Sequence, residues 1–300
     1  MNEPQSRRIA GIELGGTKVI LSLWQDGALI DDQRFATTTP GSVMAAVLTC
    51  LRGWWADARF DAIGVATFGP VSLDVSAADY GRIRTTPKPH WTGADLLTQL
   101  KAAFDCPIGL ETDVNAAAIA EYRWGAGQGA TSLIYLTVGT GVGGGVLVEG
   151  RPLHGRLHPE MGHMLLRRPQ TDGFAGVCPF HGDCVEGLLA GPALAARFGV
   201  PAETLATDDP AWQQPGADLA QFLLNLIHAF APQKILIGGG VGMGAGGMLA
   251  RAKALLPQLL GGYYPDVDAA AIDAMITQPL LGDRAGPLGS IAVGLDALKI

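Results

Sequence analysis

Three groups of residues in this chain could do chemistry. Two of them are glycine-rich turns, Glu13-Leu14-Gly15-Gly16-Thr17-Lys18 and Thr137-Val138-Gly139-Thr140-Gly141-Val142-Gly143-Gly144-Gly145. Phosphates bind where several backbone N–H groups converge, which favours residues without a Cβ, and a nearby hydroxyl or ammonium adds donors. Either turn alone reads more simply as a tight hairpin, because glycine also supplies the positive φ that hairpins need. Together they favour a nucleotide. No G-x-x-x-x-G-K-[ST] stretch occurs, so the site is not a P-loop. A G-x-G-x-x-G pattern appears at Gly139, Gly141, Gly144 and again at Gly242, Gly244, Gly247, which raises a dehydrogenase as an alternative. The first match continues into the strand-like VLVEG instead of a helix. The second precedes a helix but leaves too little chain for a dinucleotide domain.

The third group is His163, Cys178, His181 and Cys184, two thiolates and two imidazoles within C-P-F-H-G-D-C and 15 residues upstream of it. This spacing suits the closed tetrahedral site of structural zinc, with free thiols or a labile disulfide as the other readings. Zinc is preferred because the two histidines have no other evident role. Cys50 and Cys106 read as core or turn residues, and His228 as structural. His158-Pro159-Glu160 followed by cysteines matches part of the zinc-deaminase pattern, but P-C-x-x-C is missing and a deaminase has no use for two phosphate turns. Asp113 stands between the strand-like IGLET and an alanine-rich helix. From position alone it is either a helix cap or a carboxylate that orients a hydroxyl and accepts its proton in phosphoryl transfer.

The elements that must hold these groups follow from periodicity. Ile9–Trp24 reads as two strands around Gly15-Gly16 and Ala28–Ala36 as a third. Then come a helix over 41–58, a buried strand over 61–68, a helix over 95–104, the strand Ile108–Thr112 and a helix over 115–124. A second unit repeats the opening, with strand segments at 131–138 and 145–149. Helices at 218–231 and 247–260 flank a strand at 234–237. The fold class is α/β, and the repeated strand, glycine turn, strand opening points to duplication.

The 300 residues, 48% hydrophobic and 16% charged, suffice for about two domains. The net charge of −7 comes without a dense Lys/Arg run, so neither nucleic acid nor an anionic membrane surface is expected as partner. Met1–Arg8 is read as neither signal peptide nor anchor, and no apolar run approaches the roughly 18 residues of a membrane span, so the protein is expected to be cytoplasmic.

The segments ELGGTK, TDVNAAA, TVGTGVGGG, HPEMGH and ILIGGGV occur in the order seen in kinases of the ROK (repressor, open reading frame, kinase) family, which this chain resembles over nearly its whole length. The resemblance implies two actin-like (RNase H-like) domains, with ATP and sugar in the cleft between them. These would be 1–115, rejoined by a C-terminal helix at 286–300, and 116–285 with the zinc loop. It implies that Gly15, Gly16, Thr17 and Lys18 approach the phosphates. Thr137, Gly139, Thr140 and Gly141 would form a second phosphate loop, and Gly238 and Gly239 would lie near the adenosine. Glu13, in place of the more usual Asp, would sit near Mg²⁺ and the γ-phosphate. By the same carry-over Asp113 is the general base in Thr112-Asp113-Val114-Asn115, Thr112 touches substrate, and Glu160, His163 and Glu186 meet the sugar hydroxyls. His163 would also ligate zinc through its other nitrogen. A homodimer is implied.

C-P-F-H-G-D-C, Thr67–Pro70 and Thr86-Pro87-Lys88-Pro89 are similar to the fructokinase branch, and Thr112 replaces the Asn of glucose-type members. D-fructose is therefore the expected acceptor, with glucokinase or N-acylmannosamine-type activity as alternatives. His90 stands where that branch commonly carries Gly. Some ROK proteins are sugar-responsive repressors, but no helix-turn-helix is expected ahead of a strand that begins near Ile9.

Overall fold

The computed structural model describes residues 7–244 and 246–299, so Met1–Arg8 lies outside the described residues apart from Arg7 and Arg8. The chain divides into two compact units. The first comprises Met1–Ala120, His154–His158 and Asp283–Ile300, and the second Glu121–Leu153 and Pro159–Gly282.

The first unit opens with β1 (Arg8–Leu14), β2 (Lys18–Gln25) and β3 (Ala28–Ala36), an antiparallel meander. Helix α1 (Pro40–Asp57) follows, and buries Val43, Met44, Val47, Leu48, Leu51 and Trp54, an i, i+3, i+4 stripe. Strand β4 (Ala62–Thr67) is buried at every position, as a central strand covered on both faces must be. Helix α2 (Thr98–Ala103), β5 (Ile108–Thr112) and the start of α3 (Asp113–Trp124) come next. The sheet order is β3-β2-β1-β4-β5, with β4 and β5 parallel to β1.

In the second unit β6 (Ser132–Val138), β7 (Val142–Val148) and the short β8 (Arg151–Pro152) form a meander. Helices α4 (Val185–Leu189), α5 (Gly191–Phe198) and α6 (Gln213–Phe230) follow, then β9 (Lys234–Gly238), α7 (Gly240–Gly244), α8 (Gly246–Leu260), α9 (Ala269–Met275) and β10 (Ile276–Thr277). Its sheet order, β8-β7-β6-β9-β10, has β9 parallel to β6 and β10 parallel to β9. The two sheets share one topology, as expected of a duplicated unit. Each has its own core, that of the second being built on α6 (Leu219, Phe222, Leu223, Leu226) and α8 (Met248, Ala252, Leu256). Among the described residues no helix is long and apolar enough to cross a membrane.

Several boundaries differ from the sequence-based expectation. Helix α2 is shorter than 95–104, because the Asp95 carboxylate takes the N–H groups of Leu97 (3.0 Å) and Thr98 (2.9 Å) and forms a turn that precedes the helix. Helix α6 starts at Gln213 instead of 218. A 3₁₀ turn, Pro210–Trp212, runs directly into it, and Pro215 falls in its first turn, where the missing N–H costs little. Strand β7 starts at Val142, so Gly143–Gly145 are strand residues and the second glycine turn shrinks to Gly139–Gly141. Gly242 and Gly244 lie inside α7 instead of ahead of a helix, which removes the remaining dinucleotide pattern.

The final helix, α10 (Ala285–Ala297), returns to the first unit and packs on β1, β4 and β5. Gly11, Gly64 and Gly109 are paired across these three strands and so form one row. A Cβ at Gly64 would overlap the Ser290 carbonyl oxygen and the Gly294 nitrogen, and one at Gly11 the Ser290 hydroxyl. At Gly109 it would crowd the Val293 carbonyl. The row lets helix and sheet backbones touch. Gly64→Ala is expected to lower stability by about 3 kcal/mol through overpacking. Gly53→Ala, on the exposed side of α1 with open space around it, should be neutral or stabilising. Denaturant unfolding of both variants checks this, and a Gly64→Ala protein as stable as the parent would contradict the close approach.

Candidate active site

Strands β1, β4 and β5 end at one level, with Leu14 paired to Thr67 and Thr67 to Thr112. Ligands of α/β folds bind beyond the carboxyl ends of parallel strands. Here that edge carries the Gly15–Thr17 turn after β1 and Asp113 after β5. The turn is closed by Gly15 N–H donating to the Lys18 carbonyl at 3.0 Å, and braced by the Thr37 hydroxyl on the Gly15 carbonyl at 2.7 Å. The space where a Cβ of Gly16 would stand is open, and Thr17 and Lys18 are exposed. Beside it lies the Glu13 carboxyl, raised above the usual carboxylate range first by burial and then by Asp283, against the opposing charges of Lys18 and Arg34. Glu13 Oε2 is a buried oxygen with no hydrogen-bond partner among the described residues. It occupies room that a side chain at Gly286, at the start of α10, would fill.

At the end of β5 Thr112 makes the N-cap bond of α3. Its hydroxyl accepts the Asn115 N–H at 3.2 Å, and Asp113 Oδ1 accepts the Val114 N–H at 2.9 Å. The turn is held from below by Glu111, which is 4% exposed. Its Oε1 accepts the Thr112 N–H (2.8 Å) and the Asn115 side-chain amide (2.9 Å), and its Oε2 meets His154 Nε2 at 2.8 Å. The hydrogen bond that His154 donates to Glu111 raises the His154 pKa against the opposing effect of burial. His158 Nε2 accepts the Val71 N–H at 3.2 Å. Neither Glu111 nor His154 was singled out by sequence. A carboxylate inside the otherwise apolar β5 was the signal that could have marked Glu111.

The second unit repeats the edge. Thr137 on β6 pairs with Gly238 on β9, so the Gly139–Gly141 turn and Gly238-Gly239 are neighbours at parallel strand ends. Gly139 N–H donates to the Gly141 carbonyl at 2.9 Å, and the Gly139 carbonyl accepts from Gly191 N–H at 2.7 Å. Thr140 is exposed. Gly239 has φ 84°, and a Cβ there would overlap Val138. A cavity of ≈ 490 Å³ lies along α7, α8 and α9, lined by Gly242, Met243, Leu249, Lys253, Asp273 and Gln278 among others.

Glu186 links this turn to the predicted sugar residues. Its Oε2 accepts the Val142 N–H at 3.0 Å and stands against Gly141. Burial, and then the charge of Glu186, push the Glu160 carboxyl up to about 7. His163 follows on the same short 3₁₀ turn, Met161–His163.

His163 Nδ1 lies 3.8 Å from Cys178 Sγ and 3.6 Å from Cys184 Sγ, and His181 Nδ1 lies 3.8 Å from Cys178 Sγ. All four ligand atoms fall within 4.8 Å of one another. Zinc bonds of about 2.3 Å to sulfur and 2.0–2.1 Å to nitrogen give tetrahedral edges of about 3.3–3.8 Å. The donor set and its spacing fit that metal with modest contraction. A bridge between Cys178 and Gly182, with Gly182 at φ 58°, folds the knuckle, and Arg168 braces it through Asp183 (2.9 Å) and Asp172 (2.7 Å). Cys50 and Cys106 take no part: burial raises both thiols to about 11. His228 stacks near Tyr263 and Tyr264.

A family model described as ROK family matches residues 9–296. The fructokinase of Zymomonas mobilis is 40% identical over 296 residues, 95% of this chain and 96% of that protein. The fructokinase of Pediococcus pentosaceus is 37% identical over 292 residues, 97% and 99% of the two chains. Among solved structures, a ROK hexokinase from Thermus thermophilus aligns with a TM-score of 0.77 at 29% identity, over 97% of this chain and 99% of that one.

Proposed function

The chain belongs to the ROK family and has its actin-like α/β sugar-kinase fold, and from that membership we propose that it transfers the γ-phosphoryl group of ATP to the 6-hydroxyl of D-fructose. The observation that carries the reading is the shared strand edge of the first unit, where a carboxylate after β5 and a glycine turn after β1 end at one level. Fructose as acceptor is supported by the fructokinase relatives and by the T-F-G-P, T-P-K-P and C-P-F-H-G-D-C segments.

In this reading Asp113 orients the attacking hydroxyl and takes its proton. The N-cap bond to Asn115 is made by the neighbouring Thr112 hydroxyl. Glu111 and His154 hold the turn in place, which matters because a nucleophile displaced by about 1 Å can lose on the order of 10² in rate. Gly15, Gly16, Thr17 and Lys18 in the first unit, and Thr137, Gly139, Thr140 and Gly141 in the second, cradle phosphates. Gly238, Gly239 and the neighbouring cavity receive the nucleoside. Glu160 and Glu186 take sugar hydroxyls. A carboxyl near 7 can both donate and accept, and a hydroxyl set between two carboxylates relieves their repulsion. The orphan oxygen of Glu13 suits Mg²⁺, directly or through water, and the metal's chemistry would be to neutralise phosphate oxygens. Zinc held by His163, Cys178, His181 and Cys184 would have no open position, so its task would be to hold the loop that carries Glu160 and Glu186. His163, with Nδ1 turned to the thiols, keeps Nε2 for the sugar.

A screen of hexoses with ATP, followed by ADP release, tests the acceptor. Fructose should exceed glucose and N-acetylmannosamine in kcat/KM by at least about tenfold, since each unpaired buried polar group costs about 1–3 kcal/mol. Glucose matching fructose would overturn the branch but not the kinase. Asp113→Asn should fold and bind ATP yet lose about 10²–10⁴ in kcat, and retention of a tenth of the activity would exclude the general base. Protein purified without chelators should carry one zinc per chain. Cys178→Ser should remove it and weaken sugar binding, whereas metal-free protein with full sugar affinity would refute that role.

A further inference from the structure

The Thr86-Pro87-Lys88-Pro89 stretch lies in the long irregular segment between β4 and α2, and its motif alone gives no physical reason to approach substrate. The structure gives one. Two prolines stiffen the backbone on either side of Lys88. The segment is anchored three residues on by Trp91, which is fully buried, donates its indole N–H to the Thr38 carbonyl at 2.8 Å and packs edge-on against Phe68. His90 is held between them at φ 72°, a left-handed conformation that glycine adopts more easily. From this support Lys88 Nζ donates to the carbonyl of Gly16, at the tip of the glycine hairpin 72 residues earlier, and lies 6.0 Å from the centre of the Phe68 ring.

Ordering a lysine side chain costs about as much as one hydrogen bond from a charged donor returns, so the contact adds little to stability. Its consequence is electrostatic. Among the described residues Lys88 has that neutral carbonyl as its hydrogen-bond partner and no carboxylate counter-charge, which leaves ammonium donors uncommitted beside the open space at Gly16. Strands β1 and β5 are two strand spacings apart, about 10 Å, so a phosphoryl group could bridge a cation over the β1 hairpin and a carboxylate after β5.

We propose that Lys88 is a catalytic cation that touches the phosphoryl group in transfer, a role that rests on the kinase reading above. As the sugar oxygen forms its bond to the γ-phosphorus, the bond from that phosphorus to the β,γ-bridging oxygen breaks. Its electron pair leaves with ADP, and the hydroxyl proton passes to Asp113. Lys88 binds the peripheral oxygens throughout and counters their charge, as a preorganised donor does where charge is redistributed.

The test compares Lys88→Met and Lys88→Arg with the parent by steady-state kinetics, and by calorimetric binding of ADP, of AMP-PNP and of fructose, with Tm measured for each protein. Lys88→Met should lower kcat about 10²-fold. It should weaken AMP-PNP about tenfold while ADP and fructose affinities stay within about twofold. Lys88→Arg should recover part of both losses, and added ethylammonium should partly rescue Lys88→Met turnover. A kcat within about threefold of the parent overturns the proposal. So does an equal weakening of ADP, AMP-PNP and fructose with a lowered Tm, which would make Lys88 a staple of the loop. If the parent itself phosphorylates no hexose, the kinase reading fails, and the AMP-PNP to ADP comparison still decides whether Lys88 meets a γ-phosphate.

Discussion

Backbone contact between α10 and the first sheet is the constraint on which the rest of the first unit depends. Gly11, Gly64 and Gly109 leave a strip without side chains across β1, β4 and β5, and Ser290, Val293 and Gly294 of the helix fill it. A row of this kind works only if the three strands keep one register. The same register brings Leu14, Thr67 and Thr112 to a common level, and the turns that follow them to a common edge. The packing that stabilises the sheet thus also aligns the Gly15–Thr17 hairpin with Asp113. The start of the same helix, at Gly286, leaves room for the Glu13 carboxyl, whose raised pKa and unpartnered oxygen are consequences of being enclosed there.

The second unit applies the same topology to a different task. Its parallel pair β6 and β9 ends in two glycine turns instead of a turn and a carboxylate, and Gly239 is demanded by the closeness of Val138 as well as by its positive φ. Where the first unit has a helix lying on bare strands, the second has a conventional core of leucine, isoleucine and phenylalanine between α6, α8 and the sheet. Its irregular part, the knuckle of Cys178–Cys184, has almost no core of its own. It is held by a backbone bridge, by the Arg168 braces and by a metal-shaped set of donors.

Carboxylates are handled in three ways. Glu111 is buried but fully engaged, by two N–H donors and a histidine, so its place is structural as well as electrostatic. Asp172 is buried between Arg197 and Arg168. Burial alone would raise it, but the two guanidinium groups outweigh that effect and hold it at about 2. At Glu13 burial outweighs the charges of Lys18 and Arg34, and at Glu160 burial and the charge of Glu186 act in the same direction, so both carboxyls are raised. Groups left in that condition store unfavourable energy that a bound cation or hydroxyl can relieve, which is the usual mark of a functional position.

Sequence by itself determined the fold class, the duplicated strand-turn-strand opening, both glycine turns and the four Cys and His side chains that the structure gathers together. These are properties of local pattern: alternation and helical periodicity are written in consecutive residues, and a ligand cluster within 22 residues is constrained by short chain segments. Local pattern misjudged where α2, α6 and β7 begin, because a side-chain turn at Asp95, a proline tolerated in a first turn and glycines drawn into a hairpin are settled by competing hydrogen bonds. It was silent on the glycine row, on the His154 and Glu111 pair and on Lys88 at Gly16. Each of these joins residues 40 or more positions apart. Strand register and the return of α10 bring the glycine row together, while the packing of irregular segments brings His154 to Glu111 and Lys88 to Gly16, and neither is contained in any single stretch of residues.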